Sequence, residues 1–178
     1  MYYVRKISRG KWPEERIINQ AGLEDVEADT LTTDLKTDHN TLSVWQVDDE
    51  VTLDDVFVAL GSNMDNICTI FIVKLDEQNL LSRGITLDNQ EGNVPVKGIN
   101  NKHHNIVNLN YVNMGEVIHT IIIGLKEEEW EKRTKSNMKN LFCKAYLEGK
   151  LDISNMSENL VREIEKALAT YQEYKKNP

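Results

Sequence analysis

The stretch Ile67-Cys68-Thr69-Ile70-Phe71-Ile72-Val73-Lys74-Leu75 constrains this chain more than any other. Successive side chains of a strand point to opposite faces, so a run apolar at both parities needs cover on both sides. The run is far short of the ~20 residues that span a bilayer. It therefore predicts an interior strand with helices packed on each face of its sheet.

Two other segments read as strands, residues 2–7 and 41–47. In the second, Leu42, Val44 and Gln46 share one face while Ser43, Trp45 and Val47 share the other. Between it and the apolar run, Thr52 and Asp55 have the spacing of a capping box. They open a helix that runs through Leu60 and closes at Gly61. Strand, helix, strand in this order suggests a parallel crossover. Leu80 to Gly84 reads as a helical turn ended by glycine. Residues 85–87 and 94–96 flank a polar loop and predict a hairpin, its second strand placed at an edge by Pro95. Pro13 suits the first turn of a short helix over 14–20. Residues 28–37, rich in Thr and Asp, predict a loop with two helical turns at most.

The C-terminal third is helical in pattern. Residues 114–125 are apolar nearly all round and predict a buried helix. Residues 127–147 place Trp130, Met138, Leu141, Phe142, Ala145 and Tyr146 at a helical period, with Gly149 as the cap. Residues 157–175 carry Leu160, Ile164, Leu168 and Tyr171 on one stripe. The fold class that follows is α/β (or α+β): a mixed sheet of about four to six strands packed against helices, with a three-helix C-terminal portion. The 178 residues suit a single domain, sheet-containing over 1–112 and helical over 113–178.

Only two cysteines occur, Cys68 and Cys143, which is no secreted framework, so free thiols are expected. Met1-Tyr2-Tyr3-Val4-Arg5-Lys6 has no apolar stretch behind its charges and does not read as a signal peptide. A cytoplasmic protein with no membrane association is the expectation.

Charge is segregated. Residues 17–93 hold three Lys/Arg against sixteen Asp/Glu, whereas 94–178 hold thirteen against eleven. The densest acidic clusters are Glu24-Asp25-Val26-Glu27-Ala28-Asp29 and Asp48-Asp49-Glu50 with Asp54-Asp55. Solvated surface and helix-start carboxylates account for many of these. A docking surface for a basic partner accounts for the concentration, with Asp48, Asp49, Glu50, Asp54 and Asp55 as its residues. Neither cluster has the D-x-[DN]-x-[DN]-G order of a calcium loop, and no metal or cofactor is expected.

Four histidines could carry chemistry. His103 and His104 sit in a polar stretch following a predicted edge strand, a position suited to a general base. Adjacent histidines point apart, so one of them at most would serve. His119, on the apolar helix, reads as a core residue with Glu116 three positions before it. The basic start is either a soluble edge strand or an anion site, with Arg5 and Arg9 clamping phosphate and Trp12 offering a flat surface. Glycine-rich phosphate loops, nucleophile elbows, zincin helices and paired C-x-x-C are all absent. The basic charges of the helix read over 127–147 share it with Glu127, Glu128, Glu129 and Glu131 and form no reading motif, so sequence-specific DNA binding is not expected.

Two functional readings follow. The first is a small acidic cytosolic protein, regulatory, accessory or inhibitory, acting through protein–protein interaction. Its last helix would offer a face for homo-oligomer formation. The second is an enzyme acting on a nucleotide or other phosphate-bearing substrate, with Arg5 and Arg9 holding the anion and His103 or His104 moving the proton.

Overall fold

The computed structural model describes residues 1–176, with side chains through residue 171. Its centre is a six-stranded sheet of β1 (Tyr2–Ile7), β2 (Leu42–Val47), β3 (Ile70–Asp76), β4 (Thr86–Asn89), β5 (His103–Val107) and β6 (Trp130–Arg133). The strand order is β4-β5-β2-β1-β3-β6, and every neighbouring pair is antiparallel. β3 lies between β1 and β6, the interior position its two apolar faces require.

The crossover from β2 to β3 is present in split form. Both strands run antiparallel to β1, so they are parallel to each other with β1 between them. Helix α3 (Leu53–Ser62) makes that crossing. Thr52 Oγ1 accepts from the Asp55 amide at 3.2 Å while Asp55 Oδ2 accepts from the Thr52 amide at 3.1 Å, the reciprocal cap read from the sequence. Gly61 does not end the helix; it lies within it. A Cβ there would come within 2.9 Å of both Met138 and Phe142, so the glycine sets how closely α3 approaches α6 (Lys135–Leu147).

Helices cover both faces of the sheet. On one, Val4, Trp45, Val47, Ile70 and Ile72 pack with Phe57 of α3, Phe142 of α6, and Leu160 and Ile164 of α7 (Glu158–Lys176). On the other, Tyr3, Ile7, Val44, Val73, Leu75 and Ile106 pack with Val117, Ile121 and Leu125 of α5 (Tyr111–Lys126). Of the short helices α1 (Glu15–Ile18), α2 (Ala28–Thr33) and α4 (Glu77–Ser82), α1 and α4 pack against α5, and α4 also against β3.

Three expectations are corrected. The predicted hairpin of 85–87 with 94–96 is replaced by β4 pairing with β5, Leu87 opposite Ile106. Residues 94–96 form no strand, and Val96 makes only an isolated bridge to Leu151. The helix read over 127–147 is broken: Glu128 turns the chain at φ 57°, and Trp130 pairs with Val73 in β6. Thr134, whose Oγ1 accepts from the Asn137 amide at 3.2 Å, then starts α6. Trp130 is thus a strand residue beside Phe71 on the α5 side of the sheet. His119 is exposed, not a core residue. Its Nδ1 lies 3.1 Å from Arg83 Nη1, which donates to Glu116 at 2.6 Å.

Candidate functional site

The two adjacent histidines lie on a strand rather than in a loop, which sends them to opposite faces. His104 is buried against Tyr3, edge to face at 5.1 Å. Its Nδ1 is 3.2 Å from the Lys102 carbonyl, so that nitrogen carries the proton, and Nε2 accepts from Asn89 Nδ2 at 3.1 Å. Both ring nitrogens are therefore occupied. His103 faces the other way, edge to face with Trp45 at 5.0 Å. Its Nδ1 donates to the Gln90 carbonyl at 2.8 Å. The neutral ring keeps an acceptor at Nε2 for which the described residues supply no partner.

His103 lines a cleft of about 690 Å³ that Arg5 also borders. Arg9, Trp12 and His104 take no part in it. The Arg5 guanidinium donates to the Ser43 carbonyl at 2.7 Å and twice to the Asp34 carbonyl, once at 3.2 Å. Burial brings its pKa down to about 10, offset in part by the Asp34 charge, and leaves it a cation at neutral pH. It ties β1 to the segment after α2.

Arg9 donates to the Pro13 carbonyl at 2.8 Å and stands over the Trp130 ring at 6.0 Å. Trp12 is 3% exposed and donates to Asp34 Oδ2, so its ring offers no open surface. Of the proposed anion clamp, only Arg5 joins the histidine, and three of its five N–H donors are taken by the Asp34 and Ser43 carbonyls.

The acidic residues after β2 have partners of their own. Lys102 Nζ reaches Asp48 at 2.8 Å and Glu50 at 2.6 Å, Arg133 reaches Asp54 at 3.1 Å, and Lys150 reaches Asp55 at 3.2 Å. Lys102 holds the Asp48 carboxyl below its ordinary range. Burial pushes Asp55 up, but Thr52 and Lys150 outweigh it and the net shift is downward. Asp49 alone of the five has no such partner among the described residues. The cations come from sequence positions 102, 133 and 150, a pairing no local pattern reveals.

The earlier cluster is different. Glu24, Glu27 and Asp29 are exposed and form no ion pair among the described residues, while Asp25 accepts the Gly22 amide at 2.8 Å. Leu23, in the turn that begins this cluster, is 48% exposed and lies against α5 at Gly115. One turn before Gly115, Tyr111 is wholly exposed and Val112 is 80% exposed. The exposed apolar side chains of α5 gave no signal in the sequence, where they read as flank to a buried helix.

No grouping of three or more potential metal ligands occurs among the described residues. No helix among them is long and apolar enough to cross a membrane. Neither family models, curated proteins nor solved structures give a match to this chain.

Proposed function

We propose that the chain is a small regulatory, accessory or inhibitory protein of the cytoplasm that acts by docking a protein partner with a basic surface. The observation that carries this is the exposed pair Tyr111–Val112 at the start of α5, one turn before Gly115, where half-exposed Leu23 approaches the helix. Contiguous exposed apolar residues on a folded chain are costly in water, and such surfaces mark interaction sites. Tyrosine is also a preferred anchor in the centre of interfaces.

Charge supports the same partner. The carboxylates of Glu24, Glu27 and Asp29 form no ion pair with the protein's own cations among the described residues, whereas four of the five in 48–55 do. Unpaired acidic groups at the border of an apolar patch accelerate encounter with a basic partner and fix its orientation. The docking face is therefore assigned to Leu23, Glu24, Glu27, Tyr111 and Val112, with Asp48, Asp49 and Glu50 contributing to the long-range field.

The test is capture of the partner from the source cell, followed by association rates at two salt concentrations. Tyr111→Ser with Val112→Ser should weaken binding at least tenfold, chiefly through faster dissociation. Reversing Glu24, Glu27 and Asp29 to Lys should slow association and flatten its salt dependence. A partner bound equally well by both variants, at rates indifferent to salt, would remove this reading.

A further inference from the structure

The sheet face beneath α3 and α6 changes character along its length. It is apolar at Val4, Trp45 and Ile72, then polar at Lys6, Ser43 and Asn105. Ser43 is exposed although β2 has a neighbouring strand on each side, and the end of α3, at Ala59 and Leu60, borders the opening above it. The opening is the cleft that His103 lines. One wall is residues 90–94, held by Asn100, whose side chain accepts from the Val94 amide at 2.9 Å and donates to the Val94 carbonyl at 3.1 Å.

The hydrogen bonds along the floor have a direction. Ser43 Oγ donates to Asn105 Oδ1 at 3.3 Å, and Asn105 Nδ2 donates in turn to Gln90 Oε1. The N–H donors of the Gln90 amide have no partner among the described residues. The Gln90 carbonyl fixes the His103 proton on Nδ1, so Nε2 is an acceptor. Lys6 and Lys36 border the same cleft and form no ion pair among the described residues. Two carboxylates, Asp38 and Glu91, also border it, and Asp38 Oδ1 lies 2.9 Å from the exposed His39 ring.

From this arrangement we infer that the cleft binds a small phosphate monoester bearing hydroxyl groups, a sugar phosphate or nucleotide, with Lys6, Lys36 and the Gln90 amide on the phosphate and His103 Nε2 on a hydroxyl. Two unpaired lysines match the charge of roughly −1.5 to −2 that a phosphate monoester carries near neutral pH better than that of a single carboxylate. With its Nδ1–H held by the Gln90 carbonyl, the His103 ring turns Nε2 to the cleft, where it can accept from a ligand hydroxyl. This site lies in a different place from the docking face and does not depend on it.

The test uses ring-nitrogen NMR of His103 and calorimetry on the full chain, with ribose 5-phosphate, adenosine 5′-monophosphate, inorganic phosphate and ribose as probes. Ribose 5-phosphate or the nucleotide should shift His103 Nε2 and bind more tightly than inorganic phosphate, and ribose alone should do neither. Which of the two phosphate esters binds better distinguishes a sugar-phosphate from a nucleotide ligand. Lys6→Met and Lys36→Met, both at exposed positions, should each weaken binding roughly tenfold or more. His103→Gln should bring the ester's affinity down to that of inorganic phosphate. No shift of His103 at millimolar ester would overturn the site. So would affinity unchanged in both lysine variants, and equal affinity for ester and inorganic phosphate would overturn the role given to His103.

Discussion

Trp12 Nε1 donates to Asp34 Oδ2 at 2.9 Å, joining two residues 22 positions apart in a place where both are buried. The same carboxylate accepts from the Ser8 amide at 2.6 Å and the Ser8 hydroxyl at 2.8 Å. Thr30 Oγ1 adds a bond to the Lys11 carbonyl at 2.6 Å. Together these fasten the basic N-terminal segment to α2, converting what reads as a clamp for an external anion into an internal fastening around Asp34.

Asp34→Ala should therefore cost about 3 kcal/mol, because it strands a buried indole N–H and two donors of Ser8. Urea unfolding measures it. A loss below ~0.5 kcal/mol would mean that water replaces the carboxylate without penalty.

The contact of Gly61 with Phe142 gives a second expectation. Gly61→Ala overfills the α3–α6 interface and should destabilise by about 1–3 kcal/mol. Phe142→Ala, at a side chain with no exposure, should cost about 3–5 kcal/mol. If the two groups compete for one space, the double variant will be more stable than the two losses added together, which a double-mutant cycle on thermal or urea unfolding will read.

Acid sensitivity follows from Glu163. Lys135, at 3.0 Å, and the Ile67 amide, at 2.6 Å, hold its carboxyl below the ordinary 4.5. A carboxylate with a depressed folded pKa contributes stability that is complete above its unfolded value and lost as pH falls through the folded one. Stability should then decline as pH falls below the ordinary 4.5, and Glu163→Gln should make that decline shallower while lowering stability at neutral pH. An unchanged pH profile in denaturant titrations would assign the acid response to other carboxylates.

Gly92 sits over the histidine of the cleft. A Cβ on it would lie 2.9 Å from the Trp45 ring and 3.0 Å from His103 Cβ. Gly92→Ala should lift residues 90–94, release the Gln90 carbonyl from His103, and speed amide exchange in that loop. The cost to global stability should be about 1–2 kcal/mol. Ring-nitrogen shifts of His103 would show mixed tautomers in the variant and a single one in the parent.

Local chemistry was readable wherever a short segment decides its own structure. The two-faced apolar run gave β3 its interior place, and the Thr52–Asp55 spacing gave the start of α3. Gly149, at φ 69°, gave the end of α6. Those signals act over a few residues, so the chain itself contains them. The end of α3 was misread because Gly61 has the local form of a helix stop, whereas Phe142, 81 positions further on, is what requires a glycine there. The break before α6 was missed because Trp130 fits a helical period as well as it fits β6, and only pairing with Val73 decides between them.

Tertiary structure alone decided which charges and histidines are free. Lys102, Arg133 and Lys150 pair with four of the five carboxylates of 48–55 across long sequence separations, and no cation reaches 24–29 among the described residues. His103 and His104 are equivalent by composition, yet one faces an open cleft and the other a filled core. The physical reason is that burial and pairing are properties of what lies across space, set by sheet register and helix placement rather than by neighbours in the chain.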